Sequence, residues 1–350
     1  MTSKQPTLNA AIIGLGFIGA GDQVSGDALG QQVSNLDGTH AAALAAHPRV
    51  KLVAGSSRDE GRRRRFAAAH PGVKTYAEWK DLLKSEKFDI VGVATHSPYH
   101  AEITVACAEA GVRAVLCEKP IATKLSDADR AIRACREHKT ILAINHNRRW
   151  NPLWRAVRDE MRNGIIGDVY HAMVQWPTGR LGNVGTHMFD ALRMLLGADA
   201  THVSSTLDPD VVPDCRGPQY RDPGGWGIVT FASGVRAFIE APQTAKLPMV
   251  MRVVGSLGQI RIQRNEAIVE LWEGGTSVIA PPRNGRTSMH IAVEDIVKCM
   301  TDGGAPASTG EDGLAALEII IGFHVSDRLK GQRVALPIAG ADRNLEVAIG

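Results

Sequence analysis

An apolar run, Ala10-Ala11-Ile12-Ile13, passes without a polar residue into Gly14-Leu15-Gly16-Phe17-Ile18-Gly19 close to the N-terminus. A strand that ends in Gly-x-Gly-x-x-Gly turns tightly into a helix. Its backbone N–H groups can then approach an anion at the helix N-terminus, which is how a dinucleotide pyrophosphate is held. Glycines at this spacing also occur in ordinary strand-to-helix turns, so the surrounding pattern decides. That pattern is strand and helix alternation as far as about residue 145. Strands are predicted at Val50 to Ser56, Ile90 to Thr95, Ala114 to Cys117 and Ile141 to Asn145, and helices at Asp59 to His70, His100 to Ala110 and Asp127 to His138. Strands joined through helices of this length imply parallel crossovers and a doubly wound Rossmann sheet.

After Asn145 the character changes. Val169 to Trp176, Gly227 to Ala232, Val235 to Glu240, Met249 to Val254, Gln259 to Ile262 and Ala267 to Leu271 read as short strands joined by Gly- and Pro-bearing turns. Runs of strands without intervening helices indicate a mainly antiparallel open sheet, here followed by helices at Met289 to Met300 and Gly313 to Leu329. A chain of 350 residues is long enough for two buried cores. The expected organisation is an α/β domain over 1–147, with an insertion at about 20–38, and an α+β domain over 148–350.

Two segments outside the glycine turn carry chemistry. Glu118-Lys119-Pro120 ends the apolar run Ala114-Val115-Leu116-Cys117, which places a lysine where it can sit beside a nicotinamide ring. In Asn183-Val184-Gly185-Thr186-His187-Met188-Phe189-Asp190, Met188, Leu192, Leu195 and Leu196 recur at helical spacing and Gly197 ends the helix. Positions three and four apart share a helix face, so Asn183, His187 and Asp190 fall on one stripe. A histidine in such a place also serves as a core or cap residue, and Asp190 equally as a packing partner.

With these motifs in order, the chain resembles the Gfo/Idh/MocA family of nicotinamide-dependent oxidoreductases. The resemblance rests on Gly14 to Gly19, Thr95-His96-Ser97-Pro98-Tyr99-His100, Glu118-Lys119-Pro120, Asn145 to Trp150, Gly164-Ile165-Ile166-Gly167 and the helix from Asn183 to Gly197, and it covers nearly the whole chain. It implies a cofactor site built from Gly14, Gly16, Phe17, Ile18, Gly19, Ser57, Arg58, Thr95, His96, His100, Glu118 and Lys119. It implies substrate binding in the C-terminal domain, with Lys119 positioning or polarising the reacting oxygen and His187 in proton transfer. An amine and an imidazole can both act as the base, and which one takes the proton stays open. Asn183, Asp190 and Arg149 are candidates for the substrate; Arg148 and Arg149 equally suit a domain interface. One branch carries aspartate at the position of Asn183, whereas an amide can hydrogen-bond a hydroxyl but cannot act as a carboxylate base. The implied reaction is hydride exchange between a nicotinamide and a hydroxyl or keto group of a sugar, sugar derivative or cyclitol. Imine or enone reduction on the same scaffold, and a non-catalytic dinucleotide-sensing regulator, are the alternatives; the presence of both Lys119 and His187 favours an enzyme. Open sheets in this family commonly pack against another copy, so a homodimer or homotetramer is expected.

The cofactor signal departs from the usual NAD pattern. The acidic residue that grips the adenine ribose should end the second strand, roughly 20 residues past the glycines. Here the second strand ends in Ser57-Arg58, a hydroxyl and a guanidinium suited to a 2′-phosphate, 43 positions after Gly14. NADP is therefore the preferred cofactor, with NAD possible through Asp59. The excess length lies between Gly19 and Gly38 and reads as an ordered loop or short helix at the mouth of the cofactor site, or as a surface excursion. A net charge of +3 supports neither a nucleic acid nor an anionic membrane as partner. The run Arg62-Arg63-Arg64-Arg65 reads as a solvated helix face. The five cysteines lack any Cys-x-x-Cys spacing and the histidines form no ligand cluster, so no metal is expected and reduced thiols in a cytoplasmic protein are. Nowhere do about 18 apolar residues follow one another.

Overall fold

Strands separated by helices can pair only in parallel, and six of them do. They are β1 (Leu8–Ile13), β2 (Val50–Ser56), β3 (Lys74–Tyr76), β4 (Ile90–Val93), β5 (Ala114–Cys117) and β6 (Ile141–Ile144), in the order β3-β2-β1-β4-β5-β6. Every pair in this sheet is parallel. Every residue of β4 and β5 is buried, as expected of central parallel strands covered by helices on both faces. The helices are α1 (Phe17–Ala20), α2 (His40–Ala46), α3 (Glu60–Ala69), α4 (Trp79–Ser85), α5 (His100–Glu109) and α6 (Leu125–Glu137). Strand β3 and helices α2 and α4 were not legible in the sequence, since three to seven residues are too few to establish a period. The strand order reverses between β1 and β4, and in such sheets ligands bind in the crevice beyond the carboxyl ends at that point.

The computed structural model describes residues 7–24, 37–209, 217–244, 247–263, 265–281 and 285–350. Most of the predicted insertion, residues 25–36, therefore lies outside the described residues, as does Cys215. Contacts divide the chain into two compact units, Met1–Ala122 with Asp127–Asn147 and Arg286–Glu311, and Thr123–Ser126 with Arg148–Gly285 and Asp312–Gly350.

The second unit contains α7 (Pro152–Arg162), β7 (Val169–Gln175), α8 (Thr186–Leu196), β8 (Ala200–Leu207), β9 (Gly225–Phe231), β10 (Arg236–Ala241), β11 (Val250–Gly255), β12 (Gly258–Gln263), β13 (Glu266–Leu271) and β14 (Thr276–Ile279). Helix α9 (Ser288–Asp302) returns to the first unit, where it packs against α2, β5 and β6 and where the Asp37 carboxylate accepts the Ser288 N–H at 2.7 Å. Helix α10 (Gly310–Arg328) and β15 (Val334–Ala335) follow. The strands form a nine-stranded sheet in the order β14-β13-β12-β11-β7-β10-β9-β8-β15, antiparallel except for the pair β7 and β10. Strands β10, β11 and β12 alternate buried and less buried residues, so one sheet face carries the core. Phe189 of α8 sits between Trp176 and Phe323 of α10, with ring centroids 6.0 and 5.4 Å away, and Ser205 of β8 donates its hydroxyl to the Phe323 carbonyl at 3.0 Å. Among the described residues no helix is long and apolar enough to cross a membrane.

Candidate active site

At the turn after β1, Gly14 has φ +102°, and a Cβ on it would stand 2.2 Å from the Ala94 carbonyl oxygen. A Cβ on Gly19 would stand 1.9 Å from the Gly14 carbonyl oxygen. Only glycine fits either position, and the result is a backbone cradle at the switch point, the shape that receives a pyrophosphate. Gly16 caps α1; Phe17 is buried, and Ile18 is half-buried. This turn forms one wall of a cleft of about 320 Å³ whose other walls come from Ser56 to Asp59, Arg62, Trp79, Thr95, His96 and Tyr99. Trp79 and Tyr99 bring aromatic side chains to its lining. The sequence offered no sign of Trp79, because α4 itself was unread.

The end of β2 is shaped by arginines. Arg63 donates from one terminal nitrogen to the Ser57 carbonyl at 2.6 Å and the Arg58 carbonyl at 2.9 Å. Arg62 and Arg65 both donate to the Asp22 carboxylate, at 3.2 Å from Arg62 Nε and at 2.9 Å from two nitrogens of Arg65. The expectation of a simply solvated arginine face is thus corrected: only Arg64, paired with Glu60 at 3.5 Å, behaves that way, because three of the four guanidinia meet chain carbonyls or Asp22. Asp59 caps α3, its carboxylate accepting the Arg62 N–H at 2.8 Å, and that bond holds its carboxyl below the usual range against a smaller opposing effect of burial.

At the end of β5, the buried Glu118 carboxylate accepts from Asn145 Nδ2 at 2.6 Å and faces His40 Nε2 at 2.9 Å. Burial pushes the Glu118 carboxyl up, but His40, the Lys119 ammonium and Asn145 together outweigh it and the net direction is down. His40 is fully buried, and it fits because Gly92 of β4 has no Cβ; one there would lie 2.6 Å from His40 Nδ1. Neither His40 nor Asn145 carried a role in the sequence reading, since 78 and 27 residues separate them from Glu118. Lys119 itself is half-buried. His100, expected to bind cofactor, is buried with its ring nitrogens 2.7 Å from the Pro120 carbonyl and 2.9 Å from the Thr95 carbonyl. Burial lowers its basicity, with the two carbonyls opposing. It ties the loops after β4 and β5 together.

In the second unit, Asn183 stands not on a regular α-turn but on a π-helical turn, Leu181–Gly185, in which the Gly185 N–H reaches the Arg180 carbonyl at 3.1 Å. The widened turn runs directly into α8, which begins at Thr186. The buried Asp222 carboxylate accepts both the Gly182 and the Asn183 N–H at 2.7 Å, a role that nothing near Asp222 in the sequence announces. Thr178, Gly179 and Arg180, just upstream, all have positive φ, at 64°, 61° and 65°. That conformation costs a threonine or arginine about 1–2 kcal/mol each. Trp176 Nε1 donating to the Gly179 carbonyl at 2.6 Å and the Gly179 N–H donating to the Pro242 carbonyl at 3.0 Å hold it in place. Strain of this kind gathers at functional loops. His187 is half-buried in the first turn of α8. Arg149 and Asp190, both predicted at the substrate, meet each other: Arg149 Nε lies 2.9 Å from both Asp190 oxygens, and its Nη2 lies 2.9 Å from Asp312. Arg193 joins the same network at 3.1 Å from Asp312 and 2.6 Å from Asp199. Burial disfavours the Arg149 charge, but Asp190 and Asp312 outweigh it, and the net direction is up.

A parallel sheet of this order, with a glycine cradle and a cleft at its switch point, defines a dinucleotide-binding protein of the Rossmann class. Residues 8–146 match the Gfo/Idh/MocA family, an oxidoreductase family with an NAD-binding Rossmann fold. The chain is 30% identical over 277 residues to 1,5-anhydro-D-fructose reductase of Ensifer adhaerens, spanning 70% of this chain and 79% of that one. It is 25% identical over 326 residues to D-apiose dehydrogenase of Paraburkholderia graminis, spanning 82% and 83%. The crystal structure of an oxidoreductase domain protein from Kribbella flavida shares the fold with a TM-score of 0.78 at 21% identity, covering 95% of this chain and all of that one. The chain belongs to the Gfo/Idh/MocA family of oxidoreductases, and its first unit is an NAD(P)-binding Rossmann domain.

Proposed function

We propose that the protein is an NADP(H)-dependent dehydrogenase or reductase acting on a hydroxyl or keto group of a sugar, sugar derivative or cyclitol. The observation that carries this reading is Lys119 at the carboxyl end of β5, braced through the buried Glu118 in the sheet whose switch point forms the dinucleotide cleft. The two relatives named as sugar-acting enzymes supply the substrate class. A bound nicotinamide supplies hydride exchange; the rest is the chain's work. We assign Lys119, next to the buried Glu118 carboxylate, to polarising the reacting oxygen. His187 then exchanges the proton, and Asn183, on the turn held by Asp222, hydrogen-bonds a substrate hydroxyl. In this reading residues 148–285 and 312–350 bind substrate. The open sheet face exposing Met173, Trp226 and Phe238 packs against a second copy, which sedimentation at monomer mass would exclude. Four buried free cysteines, Cys107, Cys117, Cys135 and Cys299, suit the reducing cytoplasm.

The test is nicotinamide absorbance with pentoses, anhydro sugars and inositols. Turnover of at least one is expected with NADP. NADP binding without turnover of any would favour the dinucleotide-sensing regulator. Alcohol oxidation should rise with pH, because the neutral ring of His187 is the base. In His187→Asn that rise should disappear and turnover should fall; an unchanged profile would move the proton step to another group.

The cofactor preference follows from Ser57, Arg58 and Arg62 lining the cleft, while the Asp59 carboxylate is engaged in capping α3. A charge-assisted contact to a 2′-phosphate contributes about 1.5–3 kcal/mol, or roughly tenfold to a hundredfold in affinity over NAD. Ser57→Asp should reverse the ratio of the two dissociation constants, since a carboxylate accepts from ribose hydroxyls and repels phosphate. Equal affinities in the wild type would remove the preference.

A further inference from the structure

We propose that Asp22 determines cofactor specificity: by offsetting arginine charge at the ribose end of the cleft, its carboxylate sets how strongly a 2′-phosphate, and so NADP over NAD, is preferred. This rests on the cofactor reading above. Asp22 follows Gly21, the residue that ends α1 in a left-handed conformation, and is among the first residues of the added length between the glycine turn and the ribose-binding strand end. Its side chain is 7% exposed and is held by two guanidinia, Arg62 Nε at 3.2 Å and Arg65 Nε and Nη2 at 2.9 Å. Arg62 in turn lines the cleft beside Ser57 and Arg58.

Among the described residues, the charges near the ribose end are these. Arg58, Arg62 and Arg65 are positive; Arg63 donates to the carbonyls of Ser57 and Arg58; Arg64 is paired with Glu60. Asp59 caps α3, and Glu78 stands at the cleft wall. Among the described residues, the Asp22 carboxylate contacts both Arg62 and Arg65, so it lowers the positive potential that Arg62 presents to the cleft. A 2′-phosphate carries about two negative charges and feels each unit of that potential; NAD, with a neutral ribose hydroxyl there, does not. Asp22 is therefore predicted to act on one cofactor and not on the other, although it sits outside the cleft lining.

Two substitutions of opposite sign test this. Asparagine is isosteric and keeps an acceptor for the arginines while removing the charge, so Asp22→Asn should tighten NADP by about three- to tenfold and leave NAD within about twofold. Arg65→Gln removes the bidentate partner and leaves the carboxylate to bear on Arg62, so NADP should weaken by about threefold or more with NAD again nearly unchanged. Dissociation constants are measured by titration calorimetry at two salt concentrations, and the NADP effects should shrink at the higher. A clamp that merely holds the loop would weaken NADP in both variants, and that result, or an unchanged NADP-to-NAD ratio in Asp22→Asn, overturns the proposal. Should Asp22→Asn fail to fold, NAD in Arg65→Gln decides: NAD nearly unchanged while NADP weakens supports the proposal, and NAD weakened as much as NADP overturns it. A wild type preferring NAD would overturn the cofactor reading alone, because the ratio in the variants is still read; binding of neither dinucleotide would overturn both.

Discussion

Lys119→Ala is expected to lower turnover by about a hundredfold to ten-thousandfold, the range of a group acting on the reacting oxygen, with NADP affinity nearly unchanged. The scaffold around the side chain does not depend on it. Glu118 is held by His40 and Asn145, and the Pro120 carbonyl lies 2.7 Å from the His100 ring. The pyrophosphate cradle is backbone at Gly14 and Gly19, elsewhere in the cleft. Loss of the ammonium removes an attraction that favours the ionised Glu118, yet His40 is the larger influence there. Steady-state kcat for the best sugar of the panel and a fluorescence titration with NADPH check this. Wild-type turnover in the variant would reduce Lys119 to a loop residue and strengthen the regulator reading.

Arg149→Met should destabilise the second unit by up to about 3–5 kcal/mol, because it removes the short contacts to a buried carboxylate and leaves Asp190 with Arg193, 3.6 Å away. Asp190 is fully buried, and Arg149 contacts both of its oxygens. Replacing both partners, Arg149→Met with Asp190→Leu, should recover much of the loss, since an apolar pair of similar volume bears no desolvation penalty. Arg193 would still pair with Asp312 and with Asp199. Denaturant melts of the three proteins give the comparison. A single variant of normal stability but weakened substrate binding would return Arg149 to the substrate, where the sequence reading had put it.

The pairing of Arg149 with Asp190 marks where sequence reasoning stops. Both residues were legible as polar groups near the right motifs, but 41 residues separate them and only the fold shows that each neutralises the other. The same holds for His40, Asn145 and Glu118, and for Asp222 beneath Asn183. In each case a donor and an acceptor far apart in the chain satisfy one another inside the protein, and local pattern holds no record of that. The π-turn at Leu181–Gly185 is a subtler case: helical spacing was legible over α8, but nothing in it announced the wider turn that carries Asn183.

What the sequence determined by itself was everything set by short-range periodicity and by residues with no substitute. Strand β5 falls at Ala114–Cys117 as read, the glycine turn follows β1, and both sheets have the predicted character, because burial alternates or runs continuously along the chain itself. Gly14 and Gly19 are legible for the same reason: no other residue fits the contacts they make. Only the tertiary structure decided that β7 and β10 pair in parallel, that α9 packs in the first unit after the chain has built the second sheet, and that three of four successive arginines face carbonyls or Asp22. Those outcomes depend on which distant surfaces meet, and the free energy of a buried ion pair or a packed helix belongs to both partners, so neither segment alone encodes it.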